Sequence, residues 1–207
     1  GVYEDTTLST GQSRLYKLTV GQGQTLKVSL TTGDQDAANE IFIRYGDVPD
    51  GFHYDATYDN PLQANQTAVV PFTKPGDYYV LIRGHAETQA NTPVRVLAEV
   101  VPFAITSVHV DQGGDSRWVT FDVRGAQFAD NAILKVVRPD VAEYEPVKWD
   151  VIDSTWIRAT FDFTHAPLGL YDLEVINPNG DKAIIAYRFL IERAMETDVT
   201  IGLGGPR

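Results

Sequence analysis

Two stretches of this sequence follow one plan, in which short runs of alternating apolar and polar residues are separated by turns and closed by an aromatic strand. The first closing strand lies within residues 74–82 (KPGDYYVLI) and the second within residues 166–175 (APLGLYDLEV). Alternation with a period of two is typical of strands that bury one face, and no stretch has helical spacing. The sequence therefore predicts an all-β chain of two tandem β-sandwich domains, and not one large enzyme fold.

Length and charge limit the classes of protein that fit. The chain has 207 residues, so the length allows one or two domains, each able to bury a small core. The net charge is −11, whereas a nucleic-acid site needs clustered Lys and Arg, so we expect no nucleic-acid partner. No apolar run approaches the roughly 20 residues of a membrane helix, and we expect no membrane insertion.

Cysteine is absent, which excludes disulfides, thiolate metal sites and a cysteine nucleophile. The chain opens on residues 1–4 (GVYE) without a basic leader and stops after residues 201–207 (IGLGGPR). We expect it to be a piece of a longer protein that is secreted or displayed on a bacterial cell surface. We also expect a monomer whose neighbours are other modules of the same chain.

The first half, residues 1–101, is predicted to be one sandwich. Residues 14–20 (RLYKLTV) and 25–30 (TLKVSL) both alternate, and the turn at residues 21–24 favours a hairpin between them. A strand at residues 41–46 ends at a glycine before the turn at residues 48–51.

Four motifs of this half occur in the order found in bacterial pre-peptidase C-terminal (PPC) domains. Residues 16–28 resemble the opening "y-x-f-x-V-x-x-G-q-x-L-x-V" of that family, and residues 41–49 are similar to its "L-Y-v-r-f-G-x-x-P" strand. Tyr54 and Asp55 match its Tyr-Asp pair, and residues 75–80 resemble its closing strand. The resemblance covers roughly residues 5–101 and implies a jelly-roll-like sandwich, a non-catalytic module in which some members bind calcium or a polymer.

The second half, residues 102–192, resembles the immunoglobulin-like TIG domain. Residues 105–108 are similar to that family's opening "I-x-s-v", and residues 119–128 resemble its "v-t-i-x-G-x-x-F" motif. Residues 169–180 (GLYDLEVINPNG) resemble its ending "G-x-y-d-l-x-V-x-N-P-d-G". This resemblance implies an immunoglobulin-like sandwich. We interpret residues 193–207 as a linker or the start of a further module.

No catalytic residues are predicted. The four histidines lie in separate segments without a second ligand at metal spacing, no serine lies in a nucleophile elbow, and no glycine-rich loop leads into a helix. One acidic set could meet at an end of the first sandwich and supply oxygen ligands for calcium. It consists of Glu4, Asp5, Asp34, Asp36, Asn39 and Glu40. The alternative is a solvated acidic loop, and Ala38 stands where the PPC family often has the first of two aspartates.

Aromatic residues offer a second candidate site. Phe52, Tyr54 and Tyr58 fall within a short acidic loop, where exposed rings could stack on sugars or peptides. The alternative, that Phe52 and Tyr54 cover the sandwich edge, fits the family better. Trp149 could be exposed and recognise a ligand, whereas Trp118 and Trp156 lie on strand patterns and are predicted to be core.

These observations favour non-catalytic structural and binding modules that serve adhesion, spacing or display. Their ligand would be a polysaccharide or a protein, with calcium as the single candidate cofactor. An alternative is a substrate-targeting appendage of a secreted hydrolase whose catalytic domain lies outside this sequence.

Overall fold

The computed structural model describes residues 1–195, and every regular element in that range is a β-strand. The prediction of an all-β chain is confirmed, and the sheets, which are antiparallel except for one strand pair, form two sandwich regions. Most of the segment interpreted as a linker or further module, namely residues 196–207, lies outside the described residues. Residues 1–195 contain no helix long and apolar enough to cross a membrane.

Eight strands build the first sandwich. They are β1 (Val2–Leu8), β2 (Ser13–Val20), β3 (Thr25–Thr32), β4 (Ala38–Tyr45), β5 (Ala56–Thr57), β6 (Gln66–Val70), β7 (Gly76–Ala86) and β8 (Thr92–Val101). One sheet has the order β1-β8-β3-β6 and the other has the order β2-β7-β4-β5. The alternating residues predicted to point inward do so: Leu26, Val28 and Leu30 of β3 are fully buried. Each such burial contributes about 1.5–3 kcal/mol.

The predicted hairpin between β2 and β3 is wrong. β2 pairs with β7, whereas β3 pairs with β6 and β8 in the opposite sheet. The turn at residues 21–24 therefore carries the chain across the core from one sheet to the other. Both strands present apolar residues to the shared interior, which explains why their alternation is the same as that of a hairpin.

Nine strands build the second sandwich. They are β9 (Ala104–His109), β10 (Gln112–Gly114), β11 (Trp118–Ala126), β12 (Ile133–Arg138), β13 (Ala142–Tyr144), β14 (Lys148–Asp153), β15 (Trp156–Asp162), β16 (Gly169–Ile176) and β17 (Lys182–Glu192). The sheets have the orders β10-β17-β16-β12-β13 and β14-β15-β11-β9. Its core is a separate cluster in which Phe121 stacks on Phe161 and Phe189, with ring centroids 5.2 and 4.6 Å away.

The two aromatic closing strands recognised in the sequence have the same local structure. β7 and β16 begin at Gly76 and Gly169, whose φ angles of 137° and 141° favour glycine. Two residues later each strand buries a tyrosine, Tyr78 or Tyr171. Each tyrosine hydroxyl then forms a hydrogen bond to the backbone four residues upstream. The Tyr171 hydroxyl donates to the carbonyl of Pro167 at 2.7 Å, and the Tyr78 hydroxyl accepts from the backbone N–H of Lys74 at 2.9 Å. The repeated sequence pattern thus reflects a repeated structural anchor.

Two interpretations of single residues in the second sandwich are corrected. Trp118 and Trp156 were predicted to be core, but Trp118 is 65% exposed at the start of β11, and Trp156 is half-buried and lies outside the core cluster. Gly125 lies within β11 at a bulge. It is needed for space, because a Cβ there would lie 2.2 Å from the carbonyl oxygen of Ala104 and from the Phe128 ring.

Hydrogen bonds join the two sandwiches at a contact that we call the joint. Gln127, which has a φ of 56°, donates from its backbone to Thr25 Oγ1 at 3.1 Å and from its side chain to the carbonyl of Val101 at 2.7 Å. The carbonyl of Pro71 accepts hydrogen bonds from Thr25 in its own sandwich and from Ser154 in the other. Because these polar groups satisfy one another, the joint holds both sandwiches in one arrangement.

Candidate functional site

An open groove of about 720 Å³ lies on the first sandwich, between the outer face of β4 and β7 and the loop of residues 50–61. We call it the aromatic groove. Its lining consists of Glu40, Phe42, Asp50, Gly51, Phe52, Tyr54, Thr57, Tyr58, Pro61 and Arg83. Inward residues of β4, such as Ile41 and Ile43, belong to the core, so the intervening residues face the groove.

An ion pair between a buried glutamate and a half-buried arginine forms the floor of the groove. Glu40 and Arg83 face each other in register on β4 and β7, and the guanidinium donates to one carboxylate oxygen at 2.5 Å. The hydroxyl of Tyr58 donates to the other oxygen at 3.1 Å. Burial raises the pKa of Glu40, but the hydrogen bonds and charges of Arg83, Tyr58 and nearby His85 outweigh burial and hold it below its ordinary value. The floor therefore keeps a fixed, ionised carboxylate.

Aromatic rings form the wall. Phe42, which is 4% exposed, packs against Tyr54 and Tyr58 with ring centroids 5.6 and 5.8 Å away. The guanidinium of Arg83 lies 5.7 Å from the centroid of the Phe42 ring. Tyr54 remains 43% exposed, so it covers Phe42 with one side and presents the other to solvent.

Phe52 stands at the rim and is 91% exposed. Its position is set by Asp50, whose carboxylate accepts hydrogen bonds from the backbone N–H groups of Phe52 and His53 at 2.7 and 2.8 Å. The ring Nδ1 of His53 also lies 3.0 Å from this carboxylate. Hydrogen bonds from the His53 side chain and from both backbone N–H groups lower the pKa of Asp50 to about 2. An apolar ring is thus held out in water by a well-anchored turn.

The structure brings three of the four predicted ligand-binding residues together. Phe52, Tyr54 and Tyr58 all line the aromatic groove. Tyr54 also covers the sheet by packing on Phe42, as does Tyr58, whereas Phe52 is too exposed to cover the sandwich edge. Trp149 lies apart, on β14 of the second sandwich, paired with Ala159 and 46% exposed.

Sequence reasoning missed the part that Arg83 plays. A signal was available, since alternation along β7 marks residue 83 as outward-facing next to the buried Ile82. Pairing β7 with the strand that contains Glu40 would have placed the two charges opposite each other. The prediction instead assigned Glu40 to a calcium site.

The acidic set is divided between several places. Glu4 and Asp5 lie on β1, where the carboxylate of Asp5 binds Arg95 through two hydrogen bonds of 2.7 and 2.9 Å. Glu40 lies on the groove floor with Arg83. Asp5 and Glu40 would each have to leave an arginine before binding a metal.

The remaining three residues of the set lie near the β3–β4 connection. Asp34 accepts hydrogen bonds from the Thr88 hydroxyl and, at 3.2 Å, from the backbone of the exposed Asp36. Asn39 is fully buried, and its side-chain amide donates to the carbonyl of Ala64 at 2.9 Å. Within residues 1–195 no three Asp, Glu or His side chains come together in a metal-binding arrangement. Calcium binding stays a prediction.

Comparison with known proteins supports part of the sequence interpretation. The family model of the bacterial pre-peptidase C-terminal domain matches residues 12–84, which run from the start of β2 to near the end of β7. This match confirms the resemblance for that part of the chain, which includes every residue that lines the aromatic groove. The TIG resemblance of the second half is not supported by these comparisons and stays a prediction.

A search of curated proteins finds no match. Among solved structures, a chain described as "Biofilm associated protein - BSP domain" aligns with a TM-score of 0.30 and 9% sequence identity. The alignment covers 91% of this chain and 52% of the other, so this chain spans about half the length of the solved structure. A likeness this weak does not define a shared fold.

Proposed function

We propose that this chain is a non-catalytic binding and spacing unit of a secreted or cell-surface bacterial protein, and that the aromatic groove holds a segment of extracellular polysaccharide. The match of residues 12–84 to the PPC domain supports a module that accompanies other domains. The acidic, cysteine-free composition agrees with a soluble extracellular surface. The second sandwich, whose TIG membership is part of the proposal, spaces the groove from the next module.

One observation carries the proposal: Phe52 is 91% exposed on a turn that Asp50 fixes in place. A flexible loop would let such a ring fold back on the sheet and escape water. Holding it out costs free energy, which a stacked ligand recovers by covering the ring. Tyr54 adds a second exposed ring in the same groove, so a chain of sugar rings has two faces on which to stack.

The charged floor supports binding without catalysis. Glu40 is ionised and carries hydrogen bonds from Arg83 and Tyr58 on its two oxygens. A carboxylate held in this way accepts hydrogen bonds from sugar hydroxyls near the rim, but it is poorly suited to donate a proton at neutral pH. The same groove would also serve an appendage that targets a hydrolase to its substrate.

Binding to immobilised neutral polysaccharides (cellulose, chitin and a mixed-linkage glucan), with gelatin as the protein probe, tests the proposal. We expect one polysaccharide to be retained, and Phe52→Ala to weaken that binding about tenfold, the usual loss at an aromatic hot spot. The matched control is Phe72→Ala, which removes a 62% exposed phenylalanine outside the groove. Equal binding by both variants, or retention by gelatin alone, would contradict the proposal.

Calcium is a separate part of the proposal, with Asp34 and Asp36 as its ligands, because they lie together near the β3–β4 connection and neither is held by an arginine. Calorimetry and thermal melting with millimolar calcium test it. Absence of heat together with an unchanged melting temperature would remove calcium from the account.

A further inference from the structure

A second concave region lies between the two sandwiches, beside the joint. It consists of two adjoining cavities of about 420 and 500 Å³. Both cavities are lined by Asp59, Thr67 and Val69 from the first sandwich and by Arg124 and Thr155 from the second. We call this region the cleft. Neither sandwich forms it alone.

The joint fixes the walls of the cleft relative to each other. Arg124 and Thr155 are close neighbours in sequence of Gln127 and Ser154, whose hydrogen bonds reach Thr25 and Pro71 across the contact. The backbone of Gly125 also donates to the carbonyl of Thr155 at 2.9 Å, which ties the β14–β15 turn to β11. These hydrogen bonds fix the shape of the cleft, which lowers the entropic cost of binding.

Arg124 is the distinctive side chain of the cleft. Its guanidinium lies 3.9 Å from the centroid of the Trp156 ring, so the tryptophan holds it in one orientation. Asp122, the nearest outward acid on its own strand, is bound by Arg158 through two hydrogen bonds of 2.7 and 2.9 Å. Arg124 takes part in none of the ion pairs formed within residues 1–195. An oriented guanidinium that forms no ion pair has its fork of donors available for a carboxylate.

The other groups of the cleft suit a polyhydroxylated ligand. Hydroxyls and carboxamides dominate the wall from the first sandwich, including Thr67, Asn60, Gln63 and Asn65. Such groups both donate and accept, as sugar hydroxyls require. In the cavity of about 420 Å³ the apolar lining is limited to Val69 and Pro71, which offers little to a bulky peptide side chain. The adjoining cavity adds Val101 and Pro102, on which the apolar face of a sugar ring can pack.

Negative charge in the cleft is partly neutralised. Glu99 forms an ion pair with Lys27 at 3.3 Å, which leaves Asp59 as the acid opposite Arg124. Asp59 can accept hydrogen bonds from sugar hydroxyls while Arg124 binds a carboxylate. We infer that the cleft binds an acidic polysaccharide, with a uronate carboxylate on Arg124 and neighbouring hydroxyls on the amide-rich wall. This site is distinct from the aromatic groove.

Calorimetry with tetragalacturonate tests the inference on the full 207-residue chain. We expect binding that weakens as salt is raised, and a change in tryptophan fluorescence because Trp156 contacts Arg124. Arg124→Gln should lower the affinity roughly tenfold or more, as expected when a charged hydrogen bond is lost. Arg124→Lys should give a smaller loss, since it keeps the charge but not the bidentate fork.

Two further variants separate the cleft from general electrostatics. Arg188→Gln, on an exposed position of β17, changes the net charge equally and should leave the affinity unchanged. Asn60→Ala, on the opposite wall, should weaken binding, because both sandwiches contribute. All variants should melt at the temperature of the parent chain.

Several results would overturn the inference. These are equal binding of a neutral galactose tetrasaccharide, an equal loss in Arg188→Gln, or binding of polyglutamate in place of tetragalacturonate. Failure of every probe to bind at millimolar concentration would overturn it as well.

Discussion

Tyr78 and Tyr171 show how a single residue position can be read from sequence. Each follows a glycine with positive φ by two residues and bonds to the backbone four residues upstream. The pattern was visible because it occurs twice, once in each sandwich. Trp118 shows the opposite case, since strand alternation gives a residue's face but not whether a neighbouring sheet covers that face.

Tyr171→Phe should lower the free energy of unfolding by about 1–2 kcal/mol, because it removes a buried hydroxyl and leaves the carbonyl of Pro167 without that partner. Tyr187→Phe is the control, since Tyr187 is 72% exposed and its hydroxyl makes no hydrogen bond within the described residues. Urea unfolding followed by fluorescence measures both variants. Equal stability of the two would contradict the role assigned to the buried hydroxyl.

Asp50 should give the groove loop a measurable acid limit. The pKa of Asp50 is lowered to about 2 in the folded chain, against an ordinary value of 3.8. A lowered pKa means that the anchored turn is favoured above pH 3.8 and loses this advantage as the pH falls towards 2. NMR titration of the Asp50 carboxyl measures the midpoint directly. His53→Ala should raise it, and a midpoint that does not move would show that the imidazole contributes nothing.

At the scale of elements, strand positions followed from alternation, but partners did not. The period of two identified β2 and β3 as strands, yet each strand pairs within a different sheet. Alternation does not reveal this, because a turn of four residues can either close a hairpin or cross the core. The pairing of Glu40 with Arg83 was missed for the same reason, since it depends on which strand lies beside which. The aromatic groove could therefore be predicted only as a group of nearby rings, without its charged floor.

The bulge in β11 gives a test at this scale. Gly125→Ala places a methyl group 2.2 Å from the carbonyl oxygen of Ala104 and from the Phe128 ring, so β9 and β11 must move apart. We expect the free energy of unfolding to fall by about 1–3 kcal/mol, as in other overpacked sites. Gly33→Ala, where no atom lies within 4 Å of the added methyl group, should change stability by less than about 0.5 kcal/mol. Equal effects would contradict the close approach.

For the whole molecule, the two separate apolar clusters explain why the sequence pattern predicted two sandwiches. One cluster draws its residues from Leu8 to Val96 and the other from Val108 to Ile191. What alternation could not reveal is the contact between them, because Gln127 and Ser154 are polar turn residues whose partners lie far away in sequence. The cleft was invisible in the sequence for the same reason.

Hydrogen–deuterium exchange with and without the retained polysaccharide tests the central claim, that the first sandwich recognises a polymer through the aromatic groove. Binding should slow exchange in the loop of residues 50–61, where Asp50 anchors Phe52, and around residue 83 on β7. Exchange near Phe72 should stay unchanged, since that residue lies outside the groove. Slower exchange confined to other surfaces, with the loop of residues 50–61 unaffected, would contradict the account.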